Sequence, residues 1–332
     1  MSHNIKEIAR LAGVSKSTAS RVISGKGYAS PEVRARVQTV VEQLQYKPNA
    51  VARAMVAKRT HDIGVIVFRD RPPIVSHPLY GKLIDAILAA AEARGYSVFL
   101  KTDQEMSLRS TDFLLERRVD GLILISRLRK NVIDYIKRFN VPYLMVNGST
   151  DDPDVLHLVS RDEEGGDRAA SHLHERGHRR YFVIAGPQEH RSHALRLTGF
   201  RGGLERLGAD AVDVVYSPES NFESGARLLE ANWQAFEAGG YTALFTTNDM
   251  LALGALKVLQ AKAVAVPGRV AVMGFDDIVH AGMHTPALTT VRVDTDGIGR
   301  GAVEMLDRLI RQEEDLPKLT EYASELIVRD ST

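Results

Sequence analysis

Two groups of side chains in this chain have the types and spacing needed for recognition chemistry. Lys16, Ser17, Ser20 and Arg21 recur at the spacing of one helical face. Lysine and arginine carry donors that guanine accepts at its major-groove edge, and serine is a permissive polar reader. The second group directly follows short apolar runs: Phe68-Arg69, Thr102-Asp103, Asn147, Asn248-Asp249 and Asp276-Asp277. Most of these groups can hydrogen-bond the hydroxyls of a small polar ligand. The plainer reading is that a strand-end Asp or Asn caps the next helix. Asp249 is expected to cap, and Asp277 is a second candidate for that role.

The elements that must position the first group read clearly. Asn4 is placed to cap a helix, and Glu7 completes a capping box. Ile5, Ile8, Ala9, Leu11 and Ala12 then share one face, and Gly13 ends the helix. Ser15 caps a second helix, Lys16 to Ser24, whose inner face is Ala19, Val22 and Ile23. Ser30-Pro31 opens a third helix, with Val33, Val37, Val40, Val41 and Leu44 as its stripe. Three short helices with a glycine turn between the first two predict a helix-turn-helix headpiece. Its second helix would enter the major groove.

Charge agrees. The chain of 332 residues has net charge +1, but residues 1–60 carry eleven Lys/Arg against three Asp/Glu. A basic head on a mildly acidic body points to a polyanionic partner for the head. There are no cysteines, which excludes disulfides and thiolate metal sites and fits a reducing compartment. No apolar run is long enough to span a membrane, and no signal-peptide stretch opens the sequence. The expected location is the cytoplasm, at the nucleoid.

The second group needs a different scaffold. Apolar runs at Ile63–Phe68, Tyr96–Lys101, Gly121–Ile125 and Tyr143–Val146 read as strands, with a helix over Tyr80–Arg94. A second series runs through Tyr181–Ala185, Val212–Tyr216, Ala243–Thr246 and Val270–Met273. Helices near 165–177, 194–207, 222–237 and 249–261 separate its strands. Alternating strands and helices predict α/β architecture with two doubly wound parallel-sheet lobes. Ligands of such folds bind beyond the carboxyl ends of the strands, where the polar residues fall.

Ile5-Lys-Glu-Ile-Ala-Arg-Leu-Ala-Gly-Val-Ser-Lys-Ser-Thr-Ala-Ser-Arg-Val-Ile23 and Tyr46-Lys-Pro-Asn-Ala-Val-Ala-Arg-Ala-Met55 resemble the LacI/GalR family of bacterial transcription regulators. So do Arg176–Phe182, Arg196–Phe200, Thr247–Ala255, Val272–Asp277 and Pro286–Val291, so the resemblance spans essentially the whole chain. It implies a periplasmic-binding-protein-like body. The implied division is a headpiece at 1–47, a hinge helix and linker at 48–60, and an effector-binding and dimerisation domain at 61–332. One lobe would hold about 61–160 and 293–322, the other about 161–292 and 323–330.

By the same resemblance Lys16, Ser17, Thr18 and Arg21 contact DNA, with Tyr28 and Asn49 as further contacts. Ala19 stands where the family usually has valine, which trims the headpiece core without altering base reading. The Ala-rich stretch Pro48–Val56 is too short to hold a helix alone, because isolated helices need roughly 12–15 residues. The resemblance implies that it folds against a second hinge and wedges Met55 into the minor groove. The alternative is that Met55 packs on Val51 and Val56. Carried by position, Arg196, Asn248 and Asp276 are the main polar effector contacts. Asn147 is a further hydroxyl ligand, Phe222 a stacking ring, and Phe68, Pro78 and Tyr80 the lining of the other lobe. An interlobe salt bridge is the alternative for Arg196.

Other features carry less. His174 and His178 have i, i+4 spacing but no carboxylate completes a ligand set with His172, so no metal is expected. His190 and His193 either touch an effector or are exposed. Gly297, Gly299 and Gly301 lack the nucleotide-binding spacing, and no hydrolase or Walker motif is present. The expectation is a non-enzymatic, cofactor-free repressor of carbohydrate-utilisation genes. It would bind a pseudo-palindromic operator as a homodimer and be released by a mono- or disaccharide. The alternatives are a sugar-binding module or enzyme with an incidental headpiece, and a regulator using a purine or a co-repressor. A dimer is expected because two half-sites imply a two-fold, and no leucine heptad of the kind that makes one family member a tetramer follows Glu325–Thr332.

Overall fold

The computed structural model describes residues 4–25, 27–46, 59–68, 75–103, 112, 119–126, 130–148, 152, 154–209 and 211–332. Two compact units divide the chain, Met1–His61 and Asp62–Thr332.

The first unit contains α1 (Ile5–Leu11), α2 (Lys16–Ile23) and α3 (Pro31–Gln43). Local chemistry starts each helix. Asn4 Oδ1 accepts from the Lys6 and Glu7 amides, and Ser15 Oγ from the Thr18 amide. Ser30 Oγ accepts from the Val33 amide, with Pro31 in the first turn. Each such cap satisfies donors that a helix start would leave unpaired. Ile8, Ala12, Val22 and Val37 form a small core, flanked by Val14, Ile23, Val33, Val40, Val41 and Leu44. Leu11 departs from the expected inner face: it is 48% exposed.

The second unit holds a six-stranded parallel sheet and a four-stranded parallel sheet. The first comprises β1 (Asp62–Phe68), β2 (Ser97–Asp103), β3 (Gly121–Ile125), β4 (Tyr143–Val146), β5 (Leu156–Ser160) and β11 (Leu319–Tyr322). Its order is β11-β5-β4-β3-β1-β2. The second comprises β6 (Arg180–Ala185), β7 (Ala211–Tyr216), β8 (Ala243–Thr246) and β9 (Ala271–Met273), in the order β7-β6-β8-β9. A two-stranded antiparallel ribbon pairs β10 (Thr290–Val293) with β12 (Ser324–Ile327).

Helices α4 (Pro78–Ala93), α5 (Lys130–Lys137) and α12 (Thr295–Ile310) go with the first sheet; α6 (Asp162–Glu175), α7 (Arg191–Leu207), α8 (Phe222–Ala231), α9 (Trp233–Gly239) and α10 (Asp249–Ala261) with the second. A short α11 (Val279–Met283) follows β9. Every residue of β3 and β8 is buried, as parallel strands covered on both faces require. The chain passes between the sheets at β5–α6, at β10–α12 and at β11–β12.

Two local outcomes differ from the sequence expectation. The helix expected over 222–237 is two helices broken at Asn232, whose Nδ2 donates to the Leu228 carbonyl. The cap of α10 is Asn248, whose Oδ1 accepts from the Leu251 amide. Asp249, expected to cap, instead accepts from the Thr290 hydroxyl at 2.6 Å and the Ile278 amide at 2.9 Å. Asp277 also caps nothing: it pairs with Arg292 at 2.7 Å and Arg329 at 2.6 Å.

Candidate functional site

In the first unit, α2 presents Lys16, Ser17, Ser20 and Arg21 on its exposed side. Thr18 is half-buried, and its hydroxyl lies 2.8 Å from Ser15 Oγ within the cap. Arg21 Nη1 donates to the Tyr28 carbonyl at 3.3 Å, and Tyr28 is 85% exposed. Gly13, at φ +63°, makes the turn that sets α2 across α1. Asn49 and Met55, with the rest of the expected hinge through residue 58, lie outside the described residues.

The second unit contains a buried polar cluster centred on Arg196, on α7. Its side chain is only 2% exposed. Nε donates to Asp162 Oδ1 at 2.9 Å, and Nη1 to the Thr247 carbonyl at 2.8 Å. Nη1 also lies 2.8 Å from Asp276 Oδ1. The guanidinium stacks over the Phe275 ring, 3.9 Å from its centroid, a cation–π contact that fixes its plane. Nη2 has no protein acceptor among the described residues.

Sequence explains how these groups converge. Asp162 is the first residue of α6, just past the carboxyl end of β5. Thr247 and Asn248 follow β8, and Phe275 and Asp276 follow β9. Helices α6 and α7 approach backbone to backbone: a Cβ on Gly166 would meet the Arg196 carbonyl, and one on Gly199 the Glu163 carbonyl. Asp276 is held at φ +115° and Asp277 at +53°, a region that costs a side-chain-bearing residue about 1–3 kcal/mol. The Asp276 amide donates to the Val291 carbonyl at 2.7 Å, tying this strained turn to β10.

Electrostatically the cluster has too many acids for its one guanidinium. Burial pushes Asp276 up to about 6, the Asp162 charge adds to this, and Arg196 opposes it. Burial, then Asp276, push Asp249 well above the usual carboxylate range. Asp162 is raised by burial and pulled back by Arg196. Burial, with Arg196 and His190, drives His193 well below its ordinary value, so it is neutral. Two carboxylate oxygens, Asp162 Oδ2 and Asp276 Oδ1, are buried without a hydrogen-bond partner. Such orphaned acceptors are rare in native folds and cost stability unless a ligand or water meets them.

Of the effector residues expected from sequence, Arg196 and Asp276 are in contact, and Asn248 adjoins Thr247. Both polar atoms of the Asn248 side chain are already engaged, since Nδ2 donates to the Ser220 carbonyl at 3.0 Å. Phe222 opens α8, its ring 5.6 Å from the Lys257 ammonium. Pro78 opens α4, and Tyr80 packs 4.8 Å from the His77 ring. Asn147, at φ +49°, ends β4 with its amide donating to the Leu158 carbonyl. Phe68 ends β1, and only its backbone is described. No described contact brings Pro78, Tyr80, Asn147 or Phe222 onto Arg196.

Asp162, Thr247 and Phe275 are cluster members to which the sequence assigned no role, and His193, expected either to touch an effector or to be exposed, is not exposed. His193 is buried, with Nδ1 2.8 Å from Thr247 Oγ1, which also accepts the Gly186 amide. A groove of about 260 Å³ beside α7, lined by Gly186, His193, Leu197, Thr198, Arg201 and Tyr216, shares only His193 with the cluster. His172 and His178 bond Thr332 and Thr242 hydroxyls, and no group of three metal-ligating side chains occurs among the described residues. No described helix is long and apolar enough to cross a membrane.

A helix-turn-helix unit followed in sequence by two parallel-sheet lobes, with a polar cluster at their strand ends, defines a DNA-binding protein with a ligand-binding body. Known proteins agree. The profile of bacterial regulatory proteins, lacI family, matches residues 4–49, and that of the periplasmic binding protein-like domain matches residues 170–332. The chain is 32% identical to the ribose operon repressor of Escherichia coli (strain K12), covering 93% of each. It is 30% identical to the transcriptional repressor PurR of Haemophilus influenzae (strain PittEE), covering 98% of each. The structure of the Lac repressor dimer bound to operator and the anti-inducer ONPF matches with a TM-score of 0.86 and 26% identity, over 100% of this chain and 99% of that one. This chain belongs to the lacI family of bacterial regulatory proteins.

Proposed function

We propose that the chain represses transcription as a homodimer on a pseudo-palindromic operator, and that a small polyhydroxyl ligand held at Arg196 releases it. Lys16, Ser17 and Arg21 read base edges from α2, and Tyr28 makes a further groove or backbone contact. Thr18 serves this surface through the cap it shares with Ser15. Asn49 and Met55 act from the hinge, Met55 as the minor-groove wedge. Phe68, Pro78, Tyr80, Asn147, Phe222 and Asn248 complete the wall of the ligand cleft. The ribose operon repressor and the operator-bound Lac repressor dimer support this reading.

One observation carries the ligand class. Arg196 Nη2 has no acceptor among the described residues, Asp162 Oδ2 is buried without a partner, and Asp276 Oδ1 has the ion pair with Nη1 but no aligned hydrogen bond. A hydroxyl can donate to a carboxylate and accept from a guanidinium at once, so vicinal hydroxyls fit this alternation. Ligand and operator are then coupled, and each weakens the other's binding by the same factor.

A thermal-shift panel of sugars and nucleobases tests the class. A ligand at a hundredfold excess over its dissociation constant adds about 2.7 kcal/mol. Stabilisation by sugars supports the proposal. Stabilisation by purines alone replaces it with a purine-dependent regulator, the reading favoured by PurR. The homodimer is tested by light scattering, and a concentration-independent tetramer would refute it.

A further inference from the structure

We infer that Asp162 is a specificity-determining residue of the effector site, and that it selects uncharged polyols over their phosphorylated or carboxylated derivatives. The inference rests on the reading of the Arg196 cluster as that site. Asp162 is 1% exposed, and only one of its oxygens is engaged: Oδ1 takes the Arg196 Nε donor at 2.9 Å. Oδ2 is buried and unpartnered. By contrast, both oxygens of Asp249 are engaged by Thr290 and Ile278. Asp277 is neutralised by Arg292 and Arg329. The acceptors with spare capacity are therefore on Asp162 and Asp276, the two carboxylates flanking Arg196.

Charge fixes the class of donor they take. Within the cluster Asp162 and Asp276 face one guanidinium, Asp249 is close enough to feel the Asp276 charge, and the adjacent His193 is neutral. A hydroxyl brings a proton to Asp162 Oδ2 without adding charge. A phosphate or carboxylate at neutral pH brings no such proton and meets buried carboxylates of its own sign. The competing cation is Arg191, in the first turn of α7, whose charge is felt by both Asp162 and His157. An anionic ligand would have to be drawn there. Position adds a consequence: Asp162 begins the segment that follows the β5–α6 crossing, so a ligand bonded to it engages the connection between the sheets.

The test is calorimetry on the full chain at pH 7.5 with D-ribose and D-ribose 5-phosphate as probes. The wild type is expected to bind ribose at least tenfold more tightly than the phosphate. Asp162→Asn keeps an acceptor for Arg196 Nε but turns the second position into a donor. It is expected to lose at least tenfold in ribose affinity and to narrow the preference against the phosphate. Tighter binding of the phosphate by the wild type, or unchanged ribose affinity in D162N, overturns the role of Asp162 and leaves the site in place. Ribose binding undiminished in R196A overturns the site itself. Absence of ribose binding to the wild type overturns the role of Asp162, and the site falls with it when no sugar in the thermal-shift panel stabilises the chain. The wild-type comparison stands even if D162N does not fold.

Discussion

Arg196 Nη1 lies 2.8 Å from Asp276 Oδ1, yet its aligned hydrogen bond goes to the Thr247 carbonyl, so Asp276 Oδ1 has an ion pair without an aligned hydrogen bond. The contact is close in distance and incomplete in geometry. It keeps an acid charged enough to bind a donor and unsatisfied enough to need one.

The pH dependence of stability follows. Asp276 is pushed up to about 6 from an ordinary value of 3.8. Between these values the folded state holds the proton that the unfolded state has released. Stability from this group is therefore full below about pH 4 and lost as pH rises through about 6, a change on the order of 3 kcal/mol. Asp276→Asn removes the titration. Thermal melts of the ligand-free chain from pH 4.5 to 7.5 should show a smaller decline for the variant than for the wild type. Parallel profiles would show that Asp276 is charged throughout.

Arg196→Ala leaves two buried carboxylates, Asp162 and Asp276, without their cation. Removing one partner of a buried ion pair costs about 3–5 kcal/mol. The deficit should be larger at pH 7.5 than at pH 5, because protonation relieves Asp276. Ligand-induced thermal shifts should vanish while operator affinity persists. An undiminished shift would remove Arg196 from the site.

Gly199 tests the scaffold without removing a polar side chain. Alanine is favoured over glycine in a helix by about 1 kcal/mol, so propensity alone predicts stabilisation. The added Cβ meets the Glu163 carbonyl, and overpacking of this kind costs about 1–3 kcal/mol. Gly199→Ala should therefore destabilise the body in denaturant titrations and weaken the ligand response by shifting Arg196 relative to Asp162. A stabilised variant with full response would mean that α6 and α7 separate freely.

Arg21→Ala addresses base reading. Loss of one bidentate base contact costs about 1–3 kcal/mol and relaxes preference at that base pair. Selection from random duplexes should show a flattened position in each half-site. A uniform loss across all positions would assign Arg21 to phosphate.

The headpiece was legible because its signals are local. Asn4, Ser15 and Ser30-Pro31 each sit within three residues of the amides they cap. Leu11 was misread because α1 is barely two turns long, too short for periodicity to separate face from flank. In the body, Arg196 and Asp276 were found by resemblance and strand-end position. Asp162 was missed because Leu156–Ser160 is short and contains His157, so no strand was read there and no carboxyl end looked for. The exchange of roles between Asn248 and Asp249 had no sequence signal. Either side chain can cap, and the choice depends on Thr290 and Ile278, distant in sequence and adjacent in space. The Phe275 ring under Arg196 is likewise a product of folding alone.

In the proposed function the headpiece is the output of a sensor whose input is the Arg196 cluster. Fluorescence anisotropy of a selected operator duplex tests it most directly, with the full chain and residues 62–332 titrated in the presence and absence of the sugar identified by thermal shift. The full chain should bind the duplex, the sugar should weaken that binding at least tenfold, and the fragment should not bind. Equal binding by the fragment, or operator affinity unchanged by a sugar that stabilises the body, would contradict it.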